Sequence, residues 1–186
     1  MIYVGFYTVK TGINSPSIPK VRLMVYAQNT SVSTIQTRME IERTLNRYGA
    51  DGFAYAAQGD MATVIFGMES RRIRFVLTLP DPEEFRYTNH SPPRERSQKA
   101  REDSYDQACR QKWRALLLVI KAKLEAIESG ISTLEEEFLA NIVLPDNTTA
   151  GDWMIPQIGE AYRTGEMPPM LPAVGGQRRA IALPPA

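Results

Sequence analysis

The chain has few of the residues that build catalytic and metal sites. Its 186 residues include one cysteine, Cys109, and one histidine, His90. One cysteine excludes an internal disulfide, and this pair alone cannot supply the four ligands of a zinc finger. Neither residue has the partners that a Ser-His-Asp or Cys-His nucleophile needs, and the phosphate-binding patterns GxxxxGK[ST] and GxGxxG are absent. The sequence therefore does not indicate an enzyme, and it predicts no cofactor and no metal.

Long hydrophobic runs are also missing. The longest uninterrupted apolar run, Ala115–Ile120, is far shorter than the roughly 20 residues that span a membrane. No charged segment followed by an apolar one opens the chain, so the sequence predicts no signal peptide. Hydrophobic residues make up 43% and charged residues 23%, which is typical of a folded globular protein. We expect a cytoplasmic protein in a reducing compartment, without membrane contact.

Charge is present in both signs but is unevenly distributed along the chain. Residues 1–130 contain 19 basic and 14 acidic residues, whereas residues 131–172 contain one basic and seven acidic residues. Two arginines in the tail bring the net charge to +1. A basic front and an acidic rear are informative about partners rather than about fold. The asymmetry suggests an acidic partner, or self-association of the front of one copy with the rear of another.

Residues 31–80 carry the pattern of an α-β-β-β unit. Ser33 and Gln36 fit a capping box at the start of an amphipathic helix over 34–48, and Gly49 is typical of a helix end. Three short strands separated by tight turns follow, which predicts an antiparallel meander. We expect the helix to cover one face of this sheet, because three strands alone are only marginally stable. The predicted strands are residues 52–57, 61–68 and 72–79.

The rest of the chain is predicted to be helical around a polar break. Residues 81–100 are interpreted as a linker, and a single apolar stripe predicts a long helix over 101–128. Two shorter helices follow, one with a capping box at Ser132 and Glu135 and one over 150–164. The fold class is therefore α+β. Outside this part, residues 1–30 read as two strands or an arm, and 167–186 as a Pro-rich tail.

A first candidate site lies on the predicted sheet. Arg71, Arg72 and Arg74 sit at a turn and on the open face of the sheet, and Tyr55 is expected on a neighbouring strand. Arginines beside an aromatic ring suit phosphate contact and base stacking in nucleic acid. The alternative is an ordinary solvated face.

A second candidate site lies along the long helix. At 100° per residue, one stripe beside the apolar seam collects four cations: Lys99, Arg110, Arg114 and Lys121. A basic stripe of this length could follow a phosphate backbone, with binding that weakens as salt rises. The alternative is a solvated face held by i,i+4 ion pairs such as Asp106–Arg110 and Lys121–Glu125.

Two further groups of residues lie near the C-terminus. The first consists of carboxylates that could hold Mg²⁺ for nuclease chemistry, although several of them suit the first turns of helices better. These carboxylates are Glu135, Glu136, Glu137, Asp146, Asp152 and Glu160. The second group is apolar and could form a partner-docking surface, or dock the last helix on the core. It comprises Trp153, Met154, Tyr162, Met167, Met170 and Leu171.

Two stretches together resemble a family of small phage and prophage proteins. They are RMEIERTLNRYGADGFAYAAQGDMATVIFGMESRRIRFVLTLP and DQACRQKWRALLLVIKAKLEAIESGISTLEEEFLANIVLPDNTTAGDWM, and the resemblance covers about residues 31–171. It implies expression inside a bacterial host cell, where such proteins handle nucleic acid or act on host proteins. The family supplies no catalytic or binding residues to transfer.

Three functions follow from these patterns. The preferred one is a non-enzymatic phage accessory protein that associates with nucleic acid through the basic sheet face and the basic helix stripe. The alternative is an interaction module that binds and modulates a host protein. A carboxylate- and metal-dependent nuclease is the distant third, and a homo-oligomer is compatible with each of them.

Overall fold

The computed structural model describes residues 30–166 and confirms the α+β class. The strands expected within residues 1–30 and the Pro-rich tail lie outside the described residues, apart from Thr30. Within 30–166 there are four α-helices, three strands and two short 3₁₀ helices. The α-helices are α1 (Thr34–Arg47), α2 (Gln98–Glu128), α3 (Leu134–Phe138) and α4 (Ala150–Thr164). The strands are β1 (Gly52–Gln58), β2 (Met61–Met68) and β3 (Arg71–Thr78), and the 3₁₀ helices are Pro82–Phe85 and Leu139–Asn141.

The first helix begins and ends as its sequence predicts. The Gln36 amide donates to the Ser33 hydroxyl over 3.1 Å, and the Ser33 amide donates to the Gln36 side chain over 3.1 Å. This reciprocal pair satisfies two backbone donors that the helix leaves unpaired. Gly49 adopts a φ of 85°, a conformation that costs glycine little. The capping box and the end of α1 are therefore confirmed.

The sheet is an antiparallel meander in the order β1-β2-β3, as predicted. Glu69 and Ser70 both have positive φ, at 48° and 61°, as a tight type I′ hairpin turn requires. In the register, Phe66 lies opposite Phe53 on β1 and Ile73 on β3. One face of the sheet is buried in the core. Its buried side chains from β2 and β3 are Ala62, Val64, Phe66, Met68 and Ile73.

Helices α1 and α2 supply the other side of the core. α2 has 31 residues, about 46 Å at 1.5 Å per residue, and is unbroken. Its predicted stripe is confirmed, because Trp113, Leu117 and Ile120 are buried. Val119, on the opposite side of the helix, is exposed. α2 therefore packs by one face and leaves the other open.

Residues 81–100 have more structure than a polar linker. Asp81 caps the 3₁₀ helix Pro82–Phe85, and the Phe85 ring meets the Tyr105 ring of α2 edge-on at 6.1 Å. Arg101 of α2 pairs with Glu83 at 2.9 Å. The segment thus folds back on the first turns of α2, which begins at Gln98 rather than at residue 101.

The C-terminal part covers the outer edge of β3. The capping box of α3 joins Thr133 to Glu136, one residue later than the predicted Ser132–Glu135 pair. α3 ends at Phe138, and the 3₁₀ helix Leu139–Asn141 follows it. The Val143 amide then donates to the Arg72 carbonyl over 2.7 Å. An edge strand with unpaired backbone groups is thereby protected.

Candidate interaction surfaces

The predicted arginine cluster on the sheet is divided between two faces. Arg71 lies opposite Met68, on the core side, whereas Arg72 and Arg74 lie opposite Gly67 and Ile65 on the other side. Arg72 and Arg74 share a face, as their spacing of two predicts, whereas Arg71, predicted at the turn, lies on the other face because neighbouring residues of a strand alternate.

Two of these three arginines bind carboxylates of the same chain. Arg71 pairs with Glu135 of α3 at 3.4 Å. Arg74 pairs with Asp152 of α4 at 3.5 Å and donates to the Asn147 carbonyl over 3.0 Å. The third arginine, Arg72, has no side-chain ion pair or hydrogen bond within residues 30–166.

Tyr55 does not belong to this group. β2 separates its strand from β3, and the register places Tyr55 opposite Val64 on the core face. Its ring lies edge-on to Trp113 at 5.4 Å, and the Arg38 guanidinium stacks over it at 4.5 Å. The predicted pairing of this aromatic ring with the sheet arginines is therefore wrong. Tyr55 instead packs where α1 and α2 meet the sheet.

The predicted basic stripe of α2 is largely directed at α1. Arg114 and Lys121 both bind Glu40 of α1, at 2.6 and 2.5 Å. Arg110 donates to the Gln107 side chain over 2.7 Å. The predicted partners Asp106 and Glu125 are thus not the ones shown for Arg110 and Lys121. Of the four stripe cations, Lys99 alone has no side-chain partner within residues 30–166.

The ion pairs around Glu40 have a consequence for pH. The hydrogen bond from Lys121, and after it the one from Arg114, lowers the pKa of Glu40 below its ordinary value of 4.5, although partial burial opposes this. A carboxyl whose pKa is lower in the folded state stabilises the fold above its unfolded pKa. That contribution is lost as pH falls through the folded pKa.

We expect Glu40→Gln to destabilise the protein at pH 7 by about 0.5–1 kcal/mol, because these pairs are partly exposed to solvent. The two cations would then face each other without a counter-ion. Urea unfolding followed by circular dichroism should show this difference at pH 7 and a smaller one at pH 3. Glu42→Gln, on an exposed position of α1, is the control and should change little. A difference that grows towards low pH would contradict the assignment.

The acidic residues of segment 131–172 form hydrogen bonds and ion pairs within the fold. Glu136, Asp146 and Asp152 accept hydrogen bonds from backbone or hydroxyl groups of Thr133, Thr148 and Thr149, which lower their pKa values. Glu137 pairs with Lys123 of α2 at 3.3 Å. Within residues 30–166, no three acidic, His or Cys residues lie close enough together to hold a metal ion.

The charge asymmetry of the sequence is partly neutralised inside one molecule. Three ion pairs join a basic residue of the front to an acidic residue of the rear, and they hold the C-terminal part against the sheet and α2. These pairs are Arg71–Glu135, Arg74–Asp152 and Lys123–Glu137. Three of the seven acidic residues in 131–172 are thus neutralised by cations from residues 1–130 of the same chain.

An apolar surface lies on the side of the sheet that faces away from α1 and α2. We call it the open face, and it consists of Ala54, Ala56, Met61, Thr63, Ile65 and Val76. Val76 is 56% exposed, and Ala54 and Ala56 are exposed as well. A solvated sheet face normally carries polar residues. The sequence signal for this surface is the β2 run MATVIFGM, in which both sets of alternate positions are largely apolar.

A second apolar surface runs along α4. We call Ile155, Ile158 and Tyr162 the α4 stripe; they are 64%, 39% and 89% exposed. Only Ala150 and Gly151, in the first turn of the helix, are buried. The prediction that the last helix docks on the core thus holds for its first turn. The rest of the predicted apolar group, Met167, Met170 and Leu171, lies outside the described residues.

No protein-family model, curated protein or solved structure matches the chain. The resemblance to small phage proteins therefore stays a prediction. None of the helices in residues 30–166 is long and apolar enough to cross a membrane. Residues 30–166 form a two-layer α+β fold in which no other described element covers the open face or the α4 stripe.

Proposed function

We propose that this protein is a non-enzymatic interaction module that binds an amphipathic helix of another polypeptide across the open face. The observation that supports it is the apolar composition of that face. A sheet buries an apolar face against a second layer, and helices are the usual second layer in α+β and α/β folds. Here α1 and α2 cover one face, so a helix on the open face would complete a three-layer arrangement.

The chemistry of the open face restricts its partner. Ala54 and Ala56 are small, which allows a helix to approach β1 closely. Arg72 stands at one end of the same side of the sheet with its charge unpaired within the described residues. The partner helix should therefore present apolar side chains to the sheet and a carboxylate near Arg72.

Association with nucleic acid is the competing proposal. It has less support because Arg71, Arg74, Arg114 and Lys121 are bound to carboxylates. Of the predicted binding cations, Arg72 and Lys99 have no side-chain partner within residues 30–166, and they belong to different elements. A phage context, and a host protein as the partner, are supported by the resemblance alone.

Photo-crosslinking from the open face tests the proposal in the full-length protein. A photo-reactive phenylalanine analogue replaces Val76 in expressing cells, and mass spectrometry identifies the crosslinked segment. We expect an amphipathic helix from another polypeptide chain. The matched control carries the same analogue at Val119, which is exposed on α2 and should give no such product. Crosslinks to nucleic acid, to residues 1–29 or 167–186 of the same chain, or to nothing would overturn the proposal.

A further inference from the structure

The chain itself carries a helix of the kind that the open face requires. We propose, on the basis of the proposed function, that α4 of a second copy covers the open face. In the resulting symmetric dimer, each copy places its α4 on the open face of the other. The α4 stripe is apolar and exposed, and no described residue of α4 after Gly151 is fully buried. One molecule thus has two uncovered surfaces of complementary type, a sheet face and an amphipathic helix.

Charges at the ends of the two surfaces are also complementary. Glu166 lies just beyond α4, and its carboxylate has no ion pair or side-chain hydrogen bond among residues 30–166. Arg72 is the unpaired cation beside the open face. Glu160 is already paired with Arg163 on its own helix. A contact between Glu166 of one copy and Arg72 of the other would therefore neutralise two charges that have no partner within residues 30–166.

The spacing of these groups agrees along the helix and the strand. α4 ends at Thr164, six residues or about 9 Å along the helical axis from Ile158, and Glu166 lies two residues beyond that end. From Val76 to Arg72 is four residues, or about 13 Å along a strand at 3.3 Å per residue. A helix that lies along β3 with Ile158 over Val76 passes Arg74, which Asp152 and Asn147 of its own chain hold, and extends towards Arg72. The apolar contact and the ion pair can form together.

The proposed assembly is a closed dimer. Each molecule contributes one helix and receives one, so a two-fold axis satisfies both uncovered surfaces at once. The first turn of α4 stays attached to its own chain, because Gly151 packs against Ala140 and Asp152 pairs with Arg74. The dimer therefore needs no rearrangement of the core.

Sedimentation equilibrium of the full chain over a range of concentrations tests the dimer. We expect twice the monomer mass for the wild type and for the control Ile131→Glu, which replaces an exposed residue away from both surfaces. Val76→Glu and Ile158→Glu should each raise the dimer dissociation constant about tenfold or more, because each buries a charge in both copies of the contact. An equimolar mixture of the two variants should associate more strongly than either variant alone, since one intact helix then meets one intact face.

A charge exchange keeps the test independent of folding defects. Arg72→Glu should weaken the dimer, and adding Glu166→Arg in the same chain should restore it. A wild type that stays monomeric at high micromolar concentration, or a dimer that Ile158→Glu leaves unchanged, overturns the inference. If the crosslink from position 76 then still reaches a helix of a different protein, the proposed function stands and only the second copy is excluded.

Discussion

Phe138→Ala should lower the free energy of unfolding by about 3–5 kcal/mol, the usual cost of removing a buried phenylalanine side chain. The Phe138 side chain is fully buried. Its ring lies edge-on to Phe66 at 5.7 Å and to Phe75 at 6.1 Å, so it joins the C-terminal part to the sheet. α3 has only five residues and depends on such packing, because a helix this short is not stable by itself.

Urea denaturation followed by circular dichroism would measure this loss. Leu139→Ala is the matched control, since Leu139 is the next residue and is 46% exposed. We expect the control to cost about 1 kcal/mol or less, as for most surface positions. Equal losses for the two variants would show that Phe138 does not anchor α3.

Local sequence patterns predicted most of the fold because the signals concerned are local. The Ser33–Gln36 capping box, the alternation in β3 and the apolar stripe of α2 each depend on residues within a few positions of one another. The secondary structure of 34–78 and 98–128 follows from them with small changes at the boundaries. The capping box of α3 lies one residue later than predicted, because Ser132 and Thr133 are adjacent and both are suitable caps.

Local sequence patterns could not predict which carboxylates the cations bind. Arg114 binds Glu40, which lies 74 positions away, and Arg74 binds Asp152, which lies 78 positions away. Helical spacing offers only partners three or four residues distant, so it suggested Asp106 and Glu125. The packing of α1 on α2 brings Glu40 into reach, and no local pattern reports that packing.

The position of Tyr55 and the apolar character of the open face could have been predicted from the sequence. In a meander of three strands the first and third are not neighbours, which already separates Tyr55 from Arg72. The β2 segment is apolar at both sets of alternate positions, a pattern typical of strands covered on both sides. That pattern is typical of a strand with a layer on each face, whereas α1 and α2 cover only one face of this sheet within residues 30–166.

The start of α4 depends on a glycine. A Cβ atom added to Gly151 would lie 2.6 Å from the Ala140 carbonyl oxygen, which belongs to the backbone and cannot turn away. The first turn of α4 packs this closely on the 3₁₀ helix Leu139–Asn141, where the Ala150 amide also donates to the Ile142 carbonyl over 2.9 Å. Any larger residue at position 151 must move the helix.

We expect Gly151→Ala to lower the free energy of unfolding by about 1–3 kcal/mol, the usual cost of overpacking a close contact. Gly159→Ala is a control in the same helix, and it should stabilise the protein by about 0.5–1 kcal/mol because open space surrounds Gly159. Both variants gain the same helix propensity, so the opposite signs isolate the contact with Ala140. Thermal and urea unfolding would measure them side by side, and a stabilising Gly151→Ala would show that α4 is not held by its first turn.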